Sequence, residues 1–344
     1  MGMEEKNYLE WLSSETGTVW WHDSGDPGEL EQGRAWGAKG VTTNPVLTYR
    51  AIKSNPAHWC KKVDLAGLEA GAKAEGLMRS VVSNATSMFE PVFHETGGAL
   101  GYVCAQIDPA LSADREAMVE MARRFSSWSP NVSVKFPATA AGLDALEECV
   151  SVGICATSTV SFTVAQVIAA AERYRRGKRR AEEAGIKAAP CFAVIMIGRI
   201  DDYLRDVIQD RRADVSETDI RQAGLAIVKR SYNIFKEQSF EAKLLIAALR
   251  GAHHMEGVCG ADVIMSIHPK IQKVLVSSDV SRRENIDTPV SRDTLRRLQT
   301  IPEFIKAYEP EGMHEQDFIT FGVTQKTLSQ FSAAGWVALE GLNF

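Results

Sequence analysis

Lys135 sits inside the run NVSVKFPAT, residues 131–139. Side chains alternate along a strand, so Val132 and Val134 point one way while Ser133 and Lys135 point the other. Pro137 has no N–H to give a ladder and should end the strand there. Lys135 is therefore expected at a strand's C-terminal end, where an ammonium is costly to bury unless it is paired or made neutral. A desolvated, neutral lysine can attack a carbonyl and form an iminium, an electron sink that lets the adjacent carbon–carbon bond break. Such a reaction needs a carboxylate to move the proton of the cleaved hydroxyl, and arginines at the rim would suit a sugar phosphate. Candidates stand at the ends of other apolar runs: Asp23, Thr42-Thr43-Asn44, Gln106 with Asp108, Thr157, Thr159, Arg199, Arg250 and His268.

Eight strand-like runs must position these groups: TVWWHD (18–23), GVTT (40–43), LGYVCAQI (100–107), VSVKF (132–136), ICAT (154–157), CFAVIMI (191–197), KLLIAAL (243–249) and ADVIMSI (261–267). Helix-like segments such as 114–128, 163–177 and 219–238 alternate with them, which implies βαβ units and a parallel sheet. The count and spacing predict a single (β/α)8 TIM barrel domain with its core over about 16–270, whose catalytic groups lie where strands end. An open doubly wound sheet would need a GxGxxG turn after the first strand, and DSGDPGELEQG lacks it. Residues 46–99 read as extra helices between strands two and three. Residues 271–344 read as a C-terminal helical extension that could supply a homo-oligomer interface.

The chain has 344 residues, 45% of them hydrophobic, and a formal net charge of −5, so no global basic field attracts nucleic acid. The N-terminal MGMEEKNYLEWLSSE lacks a signal peptide's apolar core, and CFAVIMIG is too short to span a bilayer. Six cysteines without a CxxC, several inside apolar runs, suggest reduced buried thiols in a cytoplasmic enzyme. His253 and His254 are adjacent, point in different directions on a helix, and are expected as rim residues, with no metal site. Arg292, Arg296 and Arg297 mix with Asp293 as a solvated helix face.

The segments HDSGDPGELEQGRAWGAKGVTTNPVL (22–47), IDPALSADREAMVEMARRF (107–125), NVSVKFPATAAGLDALEECVSVGI (131–154) and IGRIDDYL (197–204) resemble transaldolase. The order of VTTNP and VKFPAT is the specific part of that signal, and the resemblance continues through LLIAALRG and ADVIMSIHP. It implies a class I, Schiff-base barrel without cofactor, moving a dihydroxyacetone unit between a ketose phosphate and an aldose phosphate. It also assigns roles: Lys135 as the Schiff-base lysine, Asp23 as the acid/base, Asn44 with Thr43 on the substrate, and Arg199 and Arg250 on the phosphate. Thr159 matches a water-holding threonine. Its usual glutamate partner is Gln106 here, as in fructose-6-phosphate aldolases, which pair that glutamine with a tyrosine where this chain has Phe162. Val194 and Ala248 stand where serines of the phosphate site are usual.

Overall fold

The computed structural model describes residues 6–63 and 65–343; the first five residues of the N-terminal reading lie outside it. Seven parallel strands form one sheet: β1 (Val19–His22), β2 (Val103–Gln106), β3 (Val132–Pro137), β4 (Ala156–Thr159), β5 (Cys191–Met196), β6 (Lys243–Ala247) and β7 (Ile264–Ile267). Their spatial order is β1-β7-β6-β5-β4-β3-β2. All residues of β2, β3, β4, β5 and β7 are buried. That is the behaviour of strands covered on both faces, and it buries the polar residues of β3 and β4 along with the apolar ones.

The segment expected as the second strand, 40–43, forms only one isolated bridge. Val41 pairs in parallel with both His22 and Val103, and so joins the two edge strands of the sheet. The hydrogen bonds explain why the ladder stops there. Val41 N–H donates to the Tyr102 carbonyl, and Cys104 N–H donates to the Val41 carbonyl. The next ladder acceptor, the Cys104 carbonyl, instead takes the Thr43 hydroxyl at 2.6 Å. The Thr43 carbonyl in turn takes the Lys135 ammonium nitrogen at 3.0 Å. Side-chain donors thus replace backbone pairing and release the chain toward the next helix.

That helix, Pro45–Ser54, is capped by Asn44, whose side-chain oxygen accepts the Leu47 N–H at 3.0 Å, with Pro45 at its first position. Helices Pro56–Trp59 and Ala70–Glu95 follow before β2. Thr139 likewise caps helix Ala140–Ser151 directly after β3, so the strand that carries Lys135 runs straight into a fixed helix start. Beyond β7 the chain forms helices Pro269–Ser277, Arg292–Leu298, Pro302–Tyr308 and Gly322–Phe331, then a π-helical turn at Ser332–Trp336. No helix of the described residues is long and apolar enough to cross a membrane.

Candidate active site

Strand ends and the C-terminal helix enclose a cavity of about 410 Å³, lined among others by Asp23, Asn44, Lys135, Thr159, Arg199 and Arg250. Of the eight residues to which the resemblance gives roles, these six therefore meet at one mouth. The volume falls within the range of small-ligand pockets.

Lys135 is 6% exposed. Its nitrogen has one protein partner among the described residues, the Thr43 carbonyl, and no carboxylate. Register places it beside Gln106 of β2 and Thr157 of β4. Asp23 follows β1 and accepts the Thr42 hydroxyl at 2.6 Å. Thr42 lies 2.5 Å from the Ser266 hydroxyl, so a chain of hydroxyls runs from β7 to the carboxylate. With Thr42 donating to Asp23, Ser266 is the donor to Thr42. Asn44 spends its oxygen on the helix cap, while its amide nitrogen has no partner among the described residues.

Gln106 and Thr43 do not line the cavity. Thr43, expected on the substrate, turns its hydroxyl to the β2 backbone and serves the site through its carbonyl on Lys135. Gln106 is 2% exposed, and its side-chain oxygen is buried without a partner. An unpaired buried carbonyl of this kind carries a desolvation cost of roughly 1–3 kcal/mol. Phe162 is fully buried and off the cavity. The Thr157 and Ser133 hydroxyls lie 2.7 Å apart and buried, and Asp108 caps the Pro109–Leu111 turn.

Helix Ile197–Arg211 delivers three groups from its first turns. Arg199 points its Nη1 at the Gln330 side-chain oxygen, 2.7 Å away, and its guanidinium lies over the Phe331 ring at 5.1 Å. Burial, then the neighbouring Arg250 charge, brings the Arg199 pKa down to about 10, which leaves it a cation at neutral pH. Asp202 accepts both Nε and Nη2 of Arg250, at 2.9 and 2.7 Å. Asp201 accepts His254 Nε2 at 2.8 Å, and His254 Nδ1 accepts the Arg250 backbone N–H at 3.1 Å. Two consecutive acids thus hold the backbone and the side chain of Arg250. Gly198 permits this packing, because a Cβ there would lie 2.3 Å from the Ala248 carbonyl oxygen. Ala248 itself adopts φ +59°, a left-handed conformation costing on the order of 1 kcal/mol for a residue with a Cβ.

His254 is completely buried rather than at the rim. Asp201, His253 and His254 form the one group with metal-holding spacing among the described residues, yet both His254 nitrogens are engaged in hydrogen bonds. Five cysteines are buried, while Cys60 is exposed. Sequence reasoning missed Arg50, Lys270, Gln330 and Phe331 on the cavity wall. His268 does line it, with Nδ1 accepting the Lys270 N–H at 3.2 Å.

A family model described as Transaldolase/Fructose-6-phosphate aldolase matches residues 20–342. Transaldolase 1 of Streptomyces avermitilis is 30% identical over 259 residues, 71% of this chain and 68% of its own. A transaldolase of Thiobacillus denitrificans is 28% identical over 302 residues, 83% of this chain and 82% of its own.

Proposed function

The chain belongs to the transaldolase/fructose-6-phosphate aldolase family, and from that premise we propose that it transfers a dihydroxyacetone unit from a ketose phosphate to an aldose phosphate through a Schiff base on Lys135. The architecture is then a single (β/α)8 barrel domain whose second strand is reduced to the Val41 bridge.

Lys135 carries this reading. It is 6% exposed, lacks a carboxylate partner among the described residues, and opens into the same cavity as Asp23. In the neutral form its nitrogen adds to the ketone carbon C2, and loss of water gives the iminium. Asp23 accepts the C4 hydroxyl proton as the C3–C4 bond breaks, its electrons passing into the iminium to leave an enamine. The aldose phosphate departs; the enamine carbon attacks the acceptor aldehyde, and the proton on Asp23 goes to the new alkoxide. Water then returns the iminium to ketone and free lysine. Asn44 offers its amide nitrogen to substrate hydroxyls, and Arg199 with Arg250 offers positive charge to the phosphate.

A second reading is favoured by Gln106, an amide that positions water but cannot take its proton. Together with Thr159 it could hold the water that hydrolyses the dihydroxyacetone adduct and makes the enzyme a lyase. Donor cleavage measured with and without an aldose phosphate acceptor separates the two. Turnover that requires the acceptor supports transfer, and release of free dihydroxyacetone at the same rate without it overturns transfer as the main activity. Absence of any cleavage would point to a non-catalytic sugar-phosphate-binding barrel.

A further inference from the structure

Arg199 and Arg250 differ in what they have left to give a ligand. Arg250 spends Nε and Nη2 on Asp202, and Nη1 on the Ala248 and Leu249 carbonyls at 2.7 and 3.3 Å. Beside them the cavity wall on β5, on β6 and just after it is Val194, Met196, Ala247 and Ala248, none of which has a side-chain hydrogen-bond donor. Arg250 therefore keeps one free N–H, and the donors left at this end are chiefly those of Arg199, which gives one of its five to Gln330.

Gln330 adds a donor of its own beside Arg199. A guanidinium has donors only, so the 2.7 Å contact with Arg199 Nη1 must be made by the Gln330 amide oxygen. The contact fixes the amide's orientation, and its nitrogen has no partner among the described residues although Gln330 lines the cavity. The segment is also anchored on the far side. At Gly335, in the π-helical turn, a Cβ would lie 2.7 Å from Pro45 Cβ and 2.8 Å from the Val46 nitrogen. Arg199 follows β5 and Pro45 follows the Val41 bridge, which are the most distant members of the ring. The C-terminal segment hence spans the mouth and holds Gln330 above Arg199.

We infer that Gln330 is a substrate-binding residue whose amide nitrogen donates to the anionic group of the sugar substrate, adding an oriented neutral donor beside Arg199 in the phosphate subsite. This deepens the functional reading above and rests on it for the substrate class.

Inorganic phosphate titrated calorimetrically into the full chain tests the subsite without turnover. Gln330→Met should weaken phosphate about 10-fold to 100-fold, the loss of one hydrogen bond to a charged group. The KM for a ketose phosphate should rise by a similar factor with kcat within about twofold, and the KM for the unphosphorylated ketose should not move. Gln330→Glu keeps an acceptor for Arg199 but loses the donor, and should bind phosphate no better than the methionine variant. Unchanged phosphate affinity in Gln330→Met, wild-type affinity in Gln330→Glu, or no phosphate binding by the wild-type chain would each overturn the assignment. A chain that binds phosphate through Gln330 yet cleaves no sugar would sink only the catalytic reading.

Discussion

The Lys135 nitrogen lies 3.0 Å from the Thr43 carbonyl oxygen, across 92 positions of sequence, and that contact ties the lysine to the point where the chain leaves the ladder. A single carbonyl does not compensate a buried ammonium. Its burial on this one partner costs stability, in keeping with the proposed Schiff-base role. Replacing it with an apolar side chain of similar length should therefore abolish turnover without loosening the fold. Lys135→Met is expected to unfold at the wild-type denaturant midpoint or higher, with a gain of up to roughly 1–2 kcal/mol. A clear drop in the midpoint would assign the lysine to structure.

The two arginines should be unequal. Arg250 is partly neutralised by Asp202, while Arg199 has no carboxylate partner among the described residues and is held by Gln330 and Phe331. Arg199→Leu should raise the KM for a ketose phosphate about 100-fold and Arg250→Leu about 10-fold, corresponding to roughly 3 and 1.5 kcal/mol of charge-assisted bonding. Steady-state kinetics with phosphorylated and unphosphorylated ketoses would show it. Equal losses, or losses shared by both substrates, would contradict the phosphate role.

Acid sensitivity should trace in part to His22, which is fully buried on β1 beside Asp23. Burial is the main cause that lowers its pKa to about 4, against the opposing charge of Asp23. An unfolded chain takes up this proton near its ordinary value of about 6.5, so the native state alone resists it between those limits. Stability is thus complete above pH 6.5 and declines as pH falls toward 4, by an amount on the order of 3 kcal/mol. His22→Asn, which keeps an acceptor for the Gln272 amide now 2.9 Å from Nδ1, should narrow its stability gap to wild type as pH drops from 7 to 4.5. Denaturant titrations at the two pH values measure this; a constant gap would contradict the assignment.

Much of the site was legible because strand ends write chemistry into short apolar runs. Lys135, Asp23, Asn44, Thr159, Arg199 and Arg250 all stand at such ends and share one cavity. Thr43 misled because its neighbours signalled a strand, while its hydroxyl competes with its own backbone for the Cys104 carbonyl. Gln330 was invisible for a different reason. It is an exposed polar residue on a surface-patterned helix, 131 positions from Arg199, and only the tertiary path across the mouth gives it meaning. His254 was misplaced because the acid that accepts from it, Asp201, lies on another helix.

Covalent trapping tests the central claim most directly. Incubation with a ketose phosphate and borohydride, followed by peptide mass mapping, should show a reduced three-carbon or whole-sugar adduct on Lys135 and irreversible loss of activity, with no adduct in Lys135→Met. Full activity after reduction, or an adduct confined to other lysines, would contradict the account.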